Sequence, residues 1–224
     1  YQATVVLGAA TVTDDVEGEV ISRGDVSAIT DSQIEAELVK MCGTIMQRPS
    51  SVSAVKVDGE RAYDRVRAGE SVELAAREVT ISQLDITAIR RIENAIEVDI
   101  EVTCSAGTFI RAIARDCGDS LAVGGHLNAL RRTRVAGFGL DKAISLTSLK
   151  AGEFATLPLV DVARTTFSAR ELALEEVNEL SFGRPLSANP DEAIYAAICG
   201  EELIALLCNK DGLAKPIAVF AAAN

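Results

Sequence analysis

The 224-residue chain has no tryptophan, one histidine (His126) and 4% aromatic residues. Its core must therefore come from Val, Ile, Leu and Ala, which 48% hydrophobic content allows. With a single His and no C-x-x-C pair, the ligand clusters of a zinc site are missing, and no metal is expected. The five cysteines, Cys42, Cys104, Cys117, Cys199 and Cys208, fall mostly in apolar runs. That usage fits reduced thiols serving as small hydrophobes, and a cytoplasmic location is expected. No apolar run approaches the ~20 residues of a membrane span, so no membrane association is expected. The chain opens without Met on Tyr1-Gln2-Ala3-Thr4-Val5-Val6-Leu7-Gly8, which has none of the layout of a signal peptide. This opening reads as a strand already under way, and an upstream segment is expected.

Net charge is −11, which by itself argues against a polyanionic partner. Its distribution argues the other way. Residues 104–138 carry Arg111, Arg115, Arg131, Arg132 and Arg134 against Asp116 and Asp119, a local +3. Residues 47–69 carry Arg48, Lys56, Arg61, Arg65 and Arg67 against Asp58, Glu60 and Asp64, a local +2. The acid lies elsewhere, notably beyond residue 150. An acidic body with two basic segments suits a protein that meets a polyanion on one face.

Residues 1–8 alternate as a strand does, and Thr11 to Gly18 form a polar loop. Thr30 and Gln33 make a capping box for a helix to about Met41, with Ile34, Leu38 and Met41 on its apolar face. Residues 47–69 form a long polar excursion, of a length that inside a compact domain is often functional. Glu78–Ile89 and Ala95–Cys104 read as an antiparallel pair. A helix is expected from Thr108 to about Leu121 and a strand over Leu127–Leu140. Past Leu157-Pro158 the texture changes. An acidic helix is expected over Ser168–Leu180, capped by Ser168 and Glu171. Short strands at Ala193–Cys199, Leu203–Cys208 and Pro216–Phe220 then suggest a compact β-barrel. The fold class is α+β, with a mixed, mainly antiparallel sheet in residues 1–157 and a small β-rich domain in residues 158–224.

The stretch Cys104-Ser105-Ala106-Gly107-Thr108-Phe109-Ile110-Arg111 places an arginine on the first turn of a helix. The helix dipole disfavours a cation there by a few tenths to about 1 kcal/mol. Such an arginine needs an anion beside it, either a carboxylate or a phosphate.

Four segments in order carry a family resemblance. They are Tyr1 to Gly8 with Thr13-Asp14-Asp15 and Gly18; Pro49 to Lys56 with Gly59, Tyr63 and Gly69; Cys104 to Arg111 with Asp116 and Gly118; and Gly125-His126 with Leu130-Arg131-Arg132. Together they resemble the TruB family of tRNA pseudouridine-55 synthases in its actinobacterial form. The resemblance implies a pseudouridine synthase-like fold with a PUA-like domain over 158–224. It also implies a thumb loop at about 47–77 that closes on an RNA hairpin. The family carries its catalytic aspartate in a G-T-L-D-P-x-A-T-G loop upstream of the tyrosine that matches Tyr1. This chain contains no such sequence, and Asp14, Asp15 and Asp116 do not match that loop.

The resemblance assigns catalytic positions to Tyr1, Asp15 and Arg111. Arg111 would hold the upstream aspartate ionised, and Asp15 would brace Arg111, since one planar guanidinium can serve two carboxylates. Tyr1 would stack on the flipped uracil and take the proton from C5. Leu130 would pack on the base, or be an ordinary core leucine. Lys56 and Arg61 would meet phosphates. Arg131 and Arg132 are further RNA-contact candidates with Arg134, although alternation along a strand keeps the three from sharing one face. His126 is expected to make a structural hydrogen bond. The implied reaction needs no cofactor, and the implied partner is the T-stem-loop of tRNA, met by a monomer. Two functions stay open for the chain itself: an RNA-modifying isomerase, or a module that binds RNA hairpins without chemistry.

Overall fold

The computed structural model describes residues 1–50, 56–57, 60–61, 74–189 and 193–221. They form two compact units, Tyr1–Thr133 and Arg134–Asn224. The boundary expected at 157/158 therefore falls inside the second unit.

The strands of the first unit are β1 (Gln2–Leu7), β2 (Ala9–Thr11), β3 (Val20–Arg23), β4 (Gly43–Gln47), β5 (Lys56–Val57), β6 (Glu60–Arg61), β7 (Arg77–Ile92), β8 (Ala95–Cys104) and β9 (Gly125–Arg131). Its helices are α1 (Asp31–Val39) and α2 (Ile110–Ser120). Five strands pair antiparallel in the order β4-β7-β8-β1-β9. Alternation sends Ala3, Val5 and Leu7 of β1 and Ile96, Val98, Ile100 and Val102 of β8 to one face, which Ile34 and Leu38 of α1 and Ile113 and Cys117 of α2 cover. Full burial of each aliphatic side chain stabilises by about 1.5–3 kcal/mol.

The capping box forms as expected. Gln33 N–H donates to Thr30 Oγ1 at 3.3 Å, and Thr30 N–H donates to Gln33 Oε1 at 2.9 Å. The β7–β8 pair and α2 also stand where expected. The excursion at 47–77 lies largely outside the described residues. Within it, β5 and β6 pair antiparallel with Lys56 opposite Arg61.

The strand expected over Leu127–Leu140 ends at Arg131. A separate hairpin follows in the second unit, β10 (Arg134–Val135) with β11 (Phe138–Gly139). Ala136, at φ 49°, and Gly137 make its two-residue turn, a tight reversal that a continuous strand cannot hold. The helices of this unit are α3 (Leu146–Ala151), α4 (Leu159–Thr166) and α5 (Leu174–Ser181). Its other strands are β12 (Ser168–Glu171), β13 (Leu186–Ser187), β14 (Tyr195–Cys199), β15 (Glu202–Lys210) and β16 (Leu213–Val219). These five form one sheet in the order β12-β14-β15-β16-β13, with β12 parallel to β14. Among the described residues β12 and β13 are edges, so a sheet stands where a barrel was expected. The helix expected from Ser168 instead begins at Leu174. Ser168–Glu171 is drawn into pairing with Tyr195–Ile198, and Glu176 takes over the cap by accepting from Ala173 N–H at 3.1 Å.

Candidate active site

The polar loop after β2 is fixed to β9 by backbone bonds. Val16 N–H donates to the Leu127 carbonyl at 2.8 Å, and Leu127 N–H donates to the Asp14 carbonyl at 3.0 Å. Thr11 Oγ1 closes the loop by donating to the Asp15 carbonyl at 2.8 Å. Asp14 sits at φ 59°, a left-handed conformation that Asp adopts more readily than most residues. The Asp15 carboxylate accepts from Thr13 Oγ1 at 2.5 Å and from Glu17 N–H at 3.1 Å, which aims its other oxygen.

That oxygen meets Arg111. The ion pair measures 2.7 Å, with the Asp15 side chain 12% exposed and that of Arg111 38%. Arg111 is the second residue of α2, so the anion its first-turn position calls for is a carboxylate 96 residues away in the chain. The turn before α2 uses Gly107 at φ 86°, a conformation that favours glycine. Phe109, the N-cap, has no cap from its own side chain. The Gln47 amide substitutes for one: its oxygen accepts from Phe109 N–H at 2.8 Å, and its nitrogen donates to the Phe109 carbonyl at 3.0 Å. The other end of α2 is set by close backbone contact. A Cβ on Gly118 would fall 2.2 Å from Gly124 C, and one on Gly125 would fall 2.1 Å from Ala114 O.

One turn past Arg111, Arg115 pairs with Asp14 at 3.2 Å and Asp116 at 2.7 Å. It also donates to the Arg48 carbonyl at 2.8 Å. Burial pushes the Asp14 carboxyl above its ordinary value, against the opposing pull of the Ser50 hydroxyl and Arg115. Burial likewise pushes the Cys117 thiol up to about 12, which makes it a poor nucleophile at neutral pH.

Tyr1 lies at the head of β1, its backbone nitrogen donating to the Val102 carbonyl at 2.8 Å. Its hydroxyl accepts from Arg132 Nε at 3.0 Å, and the guanidinium carbon stands 5.3 Å from the ring centre. In the register of β1 with β9, Leu130 is opposite Ala3 and Arg131 opposite Gln2. Leu130 and Ala3 therefore share the helix-covered face, and Tyr1 and Arg132 point to the same side. Leu130 is 48% exposed there. Arg131 points to the other face, where the lining of a groove of about 400 Å³ includes Gln2, Thr4, Asp99, Glu101, Arg131 and Leu130. Tyr1 lines a separate, smaller cavity with Gln83, Glu101 and Thr103. Neither is lined by Arg111 or Asp15. The structure thus joins Asp15 to Arg111 and Tyr1 to Arg132, and it separates Arg131 from Arg132. His126 Nδ1 lies 2.9 Å from the Ala9 carbonyl, a structural bond between neighbouring segments. Lys56 and Arg61 lie where only their strand pairing is described.

Residues 1–110 match the TruB family pseudouridylate synthase N-terminal domain. Residues 111–156 match the tRNA pseudouridylate synthase B C-terminal domain, and residues 167–221 match the C-terminal domain of tRNA pseudouridine synthase II. The chain is 48% identical to tRNA pseudouridine synthase B of Arthrobacter sp. (strain FB24), with 100% of this chain and 77% of that protein covered. It is 49% identical to the protein of the same name from Mycobacteroides abscessus, covering 76% of it. The chain belongs to the TruB pseudouridylate synthase family. Its fold is also that of more distant solved proteins. A Cbf5–Nop10–Gar1 complex matches with a TM-score of 0.59 at 17% identity, covering 99% of this chain and 67% of that one. An H/ACA RNP bound to a substrate RNA containing 2′-deoxyuridine matches with a TM-score of 0.61 at 17% identity, covering 98% and 66%. Set in the TruB frame, the residues that sequence reasoning missed are Gln47, Ser50 and Arg115. Arg115 reads in sequence only as one charge of the basic segment 104–138, and no local signal marks its contacts.

Proposed function

We propose that this chain belongs to a tRNA pseudouridine-55 synthase and supplies most of its active site, while the nucleophilic aspartate comes from a segment upstream of Tyr1. The observation that carries the reading is the 2.7 Å Arg111–Asp15 pair in a chain of this family. Converting uridine to pseudouridine breaks an N-glycosidic bond and forms a C–C bond at C5. Arg111, braced by Asp15, holds the upstream aspartate ionised through charge-assisted hydrogen bonds. Tyr1 stacks on the extruded uracil and its hydroxyl oxygen takes the C5 proton as its own proton passes to solvent, and Leu130 packs on the base. An enzyme that works on a base takes it out of the stack, and T-loop bases can be splayed in this way. Arg132, beside Tyr1, meets the RNA backbone together with Lys56 and Arg61. Arg131, on the opposite face, is the weaker contact candidate. Residues 158–224 act as a PUA-like positioning domain.

The test is tritium release from C5-labelled uridine in a T-loop hairpin. The protein extended by the upstream segment is expected to turn over, and Arg111→Ala in it to abolish turnover while largely sparing hairpin binding. Residues 1–224 alone are expected to bind the hairpin and release no tritium, the behaviour of a non-catalytic binding module. Robust turnover by residues 1–224 would place the nucleophile within this chain and overturn the assignment.

A further inference from the structure

Arg115 touches three stretches of chain that surround the Arg111–Asp15 pair. Its Nη1 lies 3.2 Å from Asp14 Oδ2, in the turn that carries Asp15. Its Nη2 donates to the Arg48 carbonyl at 2.8 Å, in the stretch leaving β4. Its Nε donates to Asp116 Oδ1 at 2.8 Å, on α2 itself. Arg111 and Arg115 are four residues apart on one helix, so they stack on one face and meet successive aspartates, Asp15 and Asp14. The stretch after β4 is held twice more. Gln47 engages both backbone groups of Phe109, and Ser50 Oγ, 1% exposed, donates to the Thr13 carbonyl at 3.3 Å.

The arrangement matters because the Asp14–Asp15 turn has a left-handed residue at φ 59°, which Asp tolerates but does not by itself enforce, so the contacts around it decide whether the turn keeps this form. Asp15 can point at Arg111 only while that turn is held. A planar fork with five donors can satisfy Asp14, Asp116 and a carbonyl together, whereas an ammonium cannot match that geometry. We propose that Arg115 is a positioning residue for the Arg111–Asp15 pair, tying the Asp14–Asp15 turn and the Gln47–Ser50 stretch to α2. The same group then fixes where the chain departs toward residues 51–73, the larger part of the expected thumb loop. The inference rests on the reading of Arg111 and Asp15 as active-site residues, and it extends that reading to a residue with no substrate contact.

Two measurements decide it. In residues 1–224, the Nη2–H NMR signal of Arg111, assigned by its loss in Arg111→Lys, reports the pair directly, because Nη2 is the atom that meets Asp15. Arg115→Gln is expected to shift that signal toward the position of a free guanidinium. The signal of Arg90, paired with Glu97 and Asp99, should stay in place and report an intact fold. If Arg115→Gln fails to fold, Arg115→Lys keeps the cation and loses only the fork, and the same displacement is expected. An unmoved Arg111 signal in a folded variant overturns the proposal. In the extended enzyme, Arg115→Gln is expected to lower kcat by about 100-fold with KM little changed, the scale of a small misplacement of reacting groups. In an Asp15→Asn background the same substitution should cost less than about 3-fold, because coupled residues are non-additive. A full, additive loss there would show that Arg115 acts independently of Asp15, and it would sink the idea. Failure of the underlying functional reading looks different: the unsubstituted enzyme would release no tritium, and the NMR arm would still decide what Arg115 holds.

Discussion

At the scale of single residues, Asp14 combines burial, a left-handed backbone and an arginine partner. These separate under substitution. Asn tolerates positive φ as Asp does and keeps an oxygen for Arg115, so Asp14→Asn should leave the fold at neutral pH within about 1 kcal/mol of wild type. Ala loses both, and Asp14→Ala is expected to cost about 2 kcal/mol in urea unfolding, from the left-handed conformation and the lost acceptor. The pH dependence has a definite sign. Burial raises the Asp14 carboxyl in the folded state above its value of 3.8, so the folded protein holds that proton longer than the unfolded chain does. The stability this contributes is complete below 3.8 and is lost as pH rises through the folded value. The unfolding free energy of Asp14→Asn relative to wild type should therefore improve as pH climbs from 3 toward neutrality. A flat difference, or one of opposite slope, would mean that the Arg115 and Ser50 contacts outweigh burial. None of this was legible in sequence. The resemblance marked Asp15 as the partner of Arg111, but nothing in the sequence marked Asp14 as buried or paired with Arg115.

At the scale of elements, α2 sets the geometry of the site and is itself set at both ends. Gln47 holds the first turn, and the last turns rest on glycine backbone. A methyl on Gly118 would overlap the Gly124–Gly125 backbone, which cannot swing aside as a long side chain could. Gly118→Ala is expected to destabilise by about 1–3 kcal/mol through overpacking. It should also disturb the Arg111 NMR signal, because the whole helix must shift. Wild-type stability in thermal unfolding would show that the helix and β9 have room to part. The existence of α1 was legible from its Thr30–Gln33 box and the spacing of Ile34, Leu38 and Met41, because both signals are local. The Ser168–Glu171 spacing misled for the complementary reason. It mimics a capping box, but the pairing of Ser168–Glu171 with β14 comes from residues about 27 positions later. Intrinsic propensity is a weak prior against a neighbouring strand. The end of β9 was misjudged similarly: Leu127–Leu140 is largely apolar and basic, yet pairing with β1 stops at Arg131 and the chain turns back on itself at Ala136–Gly137. The Arg111–Asp15 pair is a longer-range contact still, and what brought it into view was the motif resemblance rather than any periodicity.

At the scale of the whole molecule, charge and fold must be weighed together. The net −11 opposes RNA, and from residue 151 onward eleven carboxylates face five cations. Two segments of local positive charge remain, yet two arginines of the second already have anionic partners: Arg111 meets Asp15, and Arg115 meets Asp14 and Asp116. Those guanidiniums hold the site together and are poorly placed to neutralise phosphate as well. The cations left for RNA by the proposed reading are Lys56, Arg61 and Arg132. Each phosphate contact contributes about 0.7–0.9 to the slope of log affinity against log salt. Three such contacts predict a slope of about −2 to −3 for residues 1–224 binding a T-loop hairpin, followed by fluorescence anisotropy across a salt series. Binding to a plain duplex of equal length should be weaker at every salt concentration, because loop bases can be splayed and stacked while paired ones cannot. Arg132→Gln should make the slope shallower by about one contact, and Arg115→Gln should leave it unchanged. A slope steeper than about −5 that Arg115→Gln makes shallower would show that the paired arginines release their aspartates to reach phosphate. The ion pairs around α2 would then be a state of the free protein rather than the frame of its active site.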